Sequence, residues 1–263
     1  MKKPLTPTLS LGEGATLNCR PSAVADAGKG PYGPPPTRSR QREKRMTQQQ
    51  LREAMRILLR EVPSWDVPVV TLIAQESRDP YRVLVSTLLS LRTLDQTTGP
   101  AAQRLFALAD TPEAMLRLDQ QTIERTIYPV GFYRNKAVQI LAISRRILEE
   151  FGGRVPDDID TLTTFNGVGR KTANLVLAEG YGIPAICVDT HVHRISNRWG
   201  YVKTKSPLDT EMALRKKLPR EYWIAYNPSL VALGQYRCKP TSPMCSQCPV
   251  AHLCHHIGVQ RQR

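Results

Sequence analysis

From Thr47 onward, apolar residues recur at helical spacing and almost nowhere alternate as strands would require. In the first stretch Leu51, Met55, Leu58, Leu59 and Val62 fall on one face. The clearest amphipathic run is Lys136 to Phe151. There Ala137, Ile140, Leu141, Ser144, Ile147, Leu148 and Phe151 make a buried stripe, and Gly152-Gly153 ends the helix. Three helix starts place a capping side chain before proline: Asp79-Pro80, Thr111-Pro112 and Ser206-Pro207. The pattern predicts an all-α protein of about ten short helices with tight turns and no internal repeat of fixed period.

Residues 1–45 break that pattern. They hold seven Pro, five Gly and nine Lys/Arg against three acids, which is +6 of the chain's net +14. Such a segment buries too little surface to offset the entropy of ordering, so disorder is expected. A solvated tail, a basic arm touching nucleic acid and translation starting at Met46 are the open alternatives for it. The 263 residues contain no apolar run of membrane-spanning length, and Met1-Lys2-Lys3-Pro4 is followed by no apolar signal core. A cytoplasmic location is expected, or a nuclear one in a eukaryote. The positive excess points to a polyanionic partner, nucleic acid first.

The segment Phe165-Asn166-Gly167-Val168-Gly169-Arg170-Lys171-Thr172-Ala173 lies between helical stretches at Asp157–Thr164 and Arg170–Glu179. A Gly-x-Gly turn admits positive φ and a close backbone approach, and the next helix opens with free N–H groups. This is a helix-hairpin-helix, which grips a nucleic-acid backbone without reading sequence. The bland alternative is an interhelical turn with no ligand. Lys171 stands in the first helical turn beside Arg170, where helix dipole and neighbour both disfavour its charged form. Such an amine can act as a nucleophile and form a Schiff base; a phosphate-binding lysine is the alternative. Eighteen residues on, Asp189 precedes a helix. Capping alone would justify it, and a cap also fixes a carboxylate for chemistry. His191 and His193 cannot face one side of that helix.

Four of the six cysteines close the chain as Cys238-x6-Cys245-x2-Cys248-x5-Cys254. Thiolates at such intervals can surround a four-iron cluster or a tetrahedral zinc. Arg237 and Lys239 flank the first of them. Cys19 lies in the arm, and Cys187, between Ile186 and Val188, reads as a buried thiol.

With the Gly-Val-Gly-Arg-Lys-Thr-Ala hairpin, the Val188-Asp189-Thr190-His191 segment and the 6-2-5 cysteine spacing in this order, residues 47–257 resemble the endonuclease III family of DNA glycosylase/AP lyases. The resemblance implies two helical lobes with a cleft between them. Residues 75–181 would form a six-helix barrel carrying the hairpin. Residues 47–74 and 182–257 would form the lobe holding a 4Fe-4S cluster on Cys238, Cys245, Cys248 and Cys254, with 258–263 a basic tail. It further implies a monomer acting on double-stranded DNA with damaged pyrimidines or abasic sites. The enzyme would bend the duplex, flip the nucleotide out and fill the gap. Lys171 would attack C1′, Asp189 would support that step, and β-elimination would cut the strand. Gly167, Val168, Gly169, Arg170 and Lys239 would contact DNA. Relatives that only remove the base lack the lysine.

Two departures from the family pattern stand out. Arg92 occupies the position where bacterial members commonly place a gap-filling Gln, and Asn166 replaces the usual hairpin Pro. Arg92 either fills the gap or binds phosphate in solvent. Asp95 matches a family aspartate near the lesion pocket, and Phe132 is either a second wedge or a core aromatic. A monofunctional mismatch glycosylase, or a non-catalytic DNA-binding protein with a structural metal, are the competing functions.

Overall fold

The computed structural model describes residues 45–65 and 68–263. The arm of residues 1–44, Cys19 included, lies outside the described residues.

Those residues form twelve α-helices. They are α1 (Gln48–Glu61), α2 (Val69–Ser77), α3 (Pro80–Ser90), α4 (Asp95–Leu108), α5 (Pro112–Met115), α6 (Gln120–Ile127), α7 (Tyr133–Phe151), α8 (Ile159–Thr163), α9 (Arg170–Leu175), α10 (Thr190–Arg198), α11 (Pro207–Lys217) and α12 (Trp223–Tyr236). The fold is all-α as expected. α9 runs on into a π-helical turn at Val176–Gly180. The three predicted proline-marked starts are capped by side chains: Asp79 accepts from Tyr81 N, Thr111 from Ala114 N and Ser206 from Asp209 N. Thr47 adds a reciprocal capping box with Gln50 at the start of α1.

Side chains sort into two hydrophobic clusters. The first gathers α2 to α9 around α3, whose Val83, Leu84, Leu88 and Leu89 are fully buried. The second joins α1 to the helices from α10 onward around Trp199, Tyr226, Leu230 and Leu233. Burying one Leu or Ile stabilises by roughly 1.5–3 kcal/mol, so Leu84→Ala in the middle of α3 would cost about 2–5 kcal/mol once the cavity is counted. Val70, Ile73 and Ala74 of α2 belong to the first cluster. They do so because α2 turns its apolar face onto α3 and α4.

The second crossing is made by the extended segment 183–189. Ala185 and Cys187 enter the first cluster, while Ile186 and Val188 enter the second. Extended backbone points successive side chains to opposite sides, which is how one short segment serves both cores. Asn227 Nδ2 of α12 donates to the Cys187 carbonyl at 3.2 Å and fixes the segment.

Two stripe expectations change. Leu59 is 45% exposed, one position off the buried face of α1. On α7, Ile143 is buried and Leu141 and Leu148 only partly so, while the polar Lys136 is buried.

Candidate active site

The hairpin forms despite Asn166. Asp158 caps α8, and the turn closes through Val168 N donating to the Phe165 carbonyl at 3.0 Å. Gly167 takes φ +82, which a side chain would resist, while exposed Asn166 needs no such freedom. Val168 and Phe165 are buried and anchor the turn in the first core. Gly169 is extended, opens α9, and would meet nothing within 4 Å if it carried a Cβ.

Arg170 does not stand as a bare cation beside Lys171. Its Nη2 and Nε donate to the two oxygens of Glu211 at 2.7 and 3.2 Å, and Arg215 Nε donates to the same carboxylate at 2.9 Å. Glu211 is buried on α11. Burial opposes its ionisation, but hydrogen bonds from Arg170, Arg215 and Asn174 outweigh it and hold the carboxyl below its usual range. The pair ties the hairpin to α11.

Lys171 is exposed and takes no hydrogen bond or ion pair among the described residues. Asp189 caps α10, accepting from Val192 N at 2.8 Å through one oxygen. The two charges converge on common neighbours. Burial pushes the Cys187 thiol up, with Lys171 opposing and Asp189 adding to the shift. The imidazole of His191 is held below the usual histidine range by burial, with Asp189 opposing and Arg194, Lys171 and Lys239 reinforcing. A solvated amine on α9 and a half-buried, capped carboxylate at the start of α10 therefore act on the same two neighbours, a pair of groups able to supply a nucleophile and to handle a proton.

The two histidines do diverge. His191 accepts at Nδ1 from Arg194 Nη2 at 3.1 Å, and its ring lies against Gly234 of α12, where a Cβ would come within 2.0 Å of Nδ1. His193 Nδ1 is 2.7 Å from Thr210 Oγ1 of α11.

Arg92 and Phe132 sit on neighbouring loops, both exposed and both in left-handed backbone conformation, φ 55 and 59. The core alternative for Phe132 does not hold, since its side chain is 59% exposed. Asp95 opens α4, half-buried, with Oδ2 3.4 Å from Val69 N and 3.5 Å from Gln235 Nε2. It braces α2 and approaches α12. Lys239 is folded back, its ammonium donating to the Gln235 carbonyl at the end of α12.

Cys238, Cys245, Cys248 and Cys254 are free thiols, and three of them pack against the second core. Burial raises Cys248 to about 11 and Cys254 to about 12, with Cys238 and Cys245 adding to both shifts. Arg198 Nη1 donates to Cys238 Sγ at 3.2 Å and His256 N to Cys254 Sγ at 3.3 Å. Among the described residues no three Cys, His, Asp or Glu side chains meet closely enough to share one metal ion. Two of the four sulfurs thus face a guanidinium or an amide N–H, donors that suit thiolates, and thiolates are the ligand type that iron-sulfur and zinc sites take.

Three residues of this region escape sequence reasoning. Lys136 is buried under the Arg92 loop. Glu211 pairs with Arg170 across 41 positions of the chain. Glu179, in the π turn, lines a cavity of about 570 Å³ with Gln75, Arg78 and Tyr181, and burial lifts its carboxyl to about 7. A lysine on the period of a buried stripe was the one available signal.

Comparison with known proteins gives the following likenesses. Residues 85–220 match the HhH-GPD superfamily of base excision DNA repair proteins. The chain is 48% identical to endonuclease III of Thermotoga maritima, over 67% of this chain and 83% of that protein. It is 42% identical to endonuclease III-like protein 1 of Bos taurus, over 72% and 66% respectively. A solved structure of a non-covalent endonuclease III–DNA complex superimposes with a TM-score of 0.70 at 35% identity, covering 80% of this chain and 96% of that one. A trapped endonuclease III–DNA covalent intermediate superimposes equally well, again at 0.70 and 35%.

Proposed function

Since the chain belongs to the endonuclease III family of base-excision-repair DNA glycosylase/AP lyases, we propose that it removes oxidised pyrimidines from double-stranded DNA and cuts the strand there, with Lys171 as nucleophile. The observation that carries this reading is Lys171 itself. It is an exposed, unpaired amine on the helix that follows the hairpin, sharing His191 and Cys187 as electrostatic neighbours with Asp189.

On this reading the hairpin backbone at Gly167–Gly169 holds the phosphates, and the nucleotide flips toward Lys171. Lysine Nζ, as the free amine, bonds to C1′ while the C1′–N bond to the base breaks. The base leaves with that electron pair and gains a proton. Asp189 offsets the positive charge developing on the sugar and takes up the proton that the attacking nitrogen sheds. The nitrogen lone pair then forms the protonated imine as the C1′–O4′ bond breaks, and O4′ keeps that bond's pair and takes a proton to become a hydroxyl. Loss of a C2′ proton expels the 3′ phosphate oxygen and breaks the strand, and water releases the enzyme from the unsaturated aldehyde. Arg92 and Phe132 fill the space that the nucleotide vacates, and Arg92 can hydrogen-bond the orphaned base.

Cys238, Cys245, Cys248 and Cys254 would hold a 4Fe-4S cluster. It would cross-link the C-terminal loop as a structural staple and present backbone groups near Lys239 to DNA.

Borohydride reduction during reaction tests the central step. The wild-type protein should become covalently joined to an oligonucleotide bearing thymine glycol, and Lys171→Gln should not. Base release without a trapped adduct would favour a monofunctional glycosylase, and duplex binding with no release a non-catalytic protein. The amine displacement would fall if Lys171→Gln kept full strand-cutting activity.

A further inference from the structure

Lys136 is a buried cation with no acid beside it. It is 4% exposed, on the core face of α7. No carboxylate pairs with it among the described residues. Its Nζ donates to the Leu89 carbonyl at 2.8 Å, the Leu91 carbonyl at 2.6 Å and Thr93 Oγ1 at 3.2 Å. Two of these acceptors are carbonyls at the C-terminal end of α3, where a positive charge meets the negative end of the helix dipole; the Leu91 carbonyl accepts from Thr93 Oγ1 as well, at 3.3 Å.

The third acceptor extends the contact to a second loop. Thr93 Oγ1 also accepts from Gly131 N at 3.1 Å. At Gly131 the two loops touch so closely that a Cβ would lie 2.8 Å from the Arg92 carbonyl oxygen. Arg92 follows α3 and Phe132 precedes α7, so Lys136 and Thr93 stand beneath both. Neither exposed side chain is packed into a core, yet both backbones keep a left-handed conformation that persists only where surroundings impose it. The imposing contacts come from below, through the ammonium, the threonine hydroxyl and the glycine amide.

We propose that Lys136 is a positioning residue for DNA distortion: its ammonium clamps the Arg92 loop to the Phe132 loop so that both side chains enter the duplex as one unit. The inference rests on the base-excision reading above, but concerns the filling of the stack and not the bond to C1′. Burial without an acidic partner, which lowers Lys136 to about 8, agrees with an amine held by two carbonyls and a hydroxyl.

The test compares an abasic strand in duplex with the same strand alone, because a single strand has no stack to fill. Lys136→Met should slow borohydride trapping on the duplex by about tenfold or more while the single-strand rate stays within about twofold, as expected for loss of orientation at intact chemistry. A 2-aminopurine opposite the abasic site should lose the fluorescence change that wild-type binding produces. Thr93→Val, which removes the shared hydroxyl at constant volume, should give the same selective loss at about threefold. Equal losses on both substrates, or an unchanged duplex rate, would overturn the clamp. If Lys136→Met fails to fold, a duplex-to-single-strand ratio unaltered in Thr93→Val would overturn it by itself. If wild type traps neither substrate, the Schiff-base reading fails instead, and the 2-aminopurine signal still decides the clamp.

Discussion

The guanidinium of Arg92 lies 5.4 Å from the centre of the Phe132 ring, within cation–π range, although the two residues stand forty positions apart on different loops. A planar cation and an aromatic ring offered side by side are a means of replacing two stacked bases. Phe132→Ala should therefore slow excision from duplex by roughly ten- to a hundredfold, as when a stacking or orienting group is lost. Arg92→Gln should alter the order of preference among the four opposite bases more than the mean rate. Single-turnover rates on four duplexes that differ only opposite the lesion check both.

Gly169 separates fold from ligand. Its backbone is one that any residue adopts, and a methyl group there would touch nothing in the protein. Gly169→Ala should cost less than about 1 kcal/mol of stability, the scale of a cap change. DNA affinity should nevertheless drop several-fold, since the added methyl stands where a phosphate must approach the N–H groups. Thermal melting and fluorescence anisotropy, run on the same sample, give the two numbers.

Gly234 makes the opposite case. A Cβ there would press into the His191 ring. Gly234→Ala should destabilise by about 1–3 kcal/mol through overpacking. It should also lower excision, because the displaced ring belongs to the helix that Asp189 caps. Denaturant midpoints and trapping rates measure the two effects.

Glu179 predicts a pH dependence. Burial lifts its carboxyl from 4.5 to about 7, so between those values the folded chain keeps a proton that the unfolded chain has released. Stability from this group is therefore present at low pH and lost as pH rises through that window. Glu179→Gln should raise stability at pH 8 by roughly 1–3 kcal/mol and change little at pH 4.5. His191 titrates in both proteins and cancels in the difference. Paired melting curves across pH 4.5–8 would show a gap that opens with pH; a constant gap would contradict it.

Cysteine ligands predict colour. The wild-type protein should be brown, and Cys248→Ala should lose the chromophore together with about 2–5 kcal/mol or more of stability in the C-terminal loop, the scale of losing a structural cross-link. Iron analysis and visible absorption read this directly. A colourless wild type carrying one zinc per chain would refute the cluster.

Features with local causes were legible in the sequence. Asp79, Thr111 and Ser206 announce helix starts because capping needs only neighbouring residues. The hairpin shows because Gly167 must adopt positive φ, and Lys171 and Asp189 lie beside such markers. Arg170 shows the converse: its partner, Glu211, is 41 residues away and nothing local betrays it. Lys136 was half visible. It falls one turn before Ile140 on the buried face of α7, but only the folded chain brings it to the carbonyls of α3. Periodicity shows that a polar residue is out of place, and tertiary contacts show what it is for.

The segment 183–189 sends alternate side chains into opposite cores, so neither half of the molecule can swing without withdrawing Cys187 or Val188 from its seat. This connector is a rivet and not a hinge. A connector held in this way leaves the substrate to deform, and lesions that already weaken base stacking would be admitted most readily. Selection of damage would then begin with the mechanical softness of the duplex, before any atom of the altered base is touched.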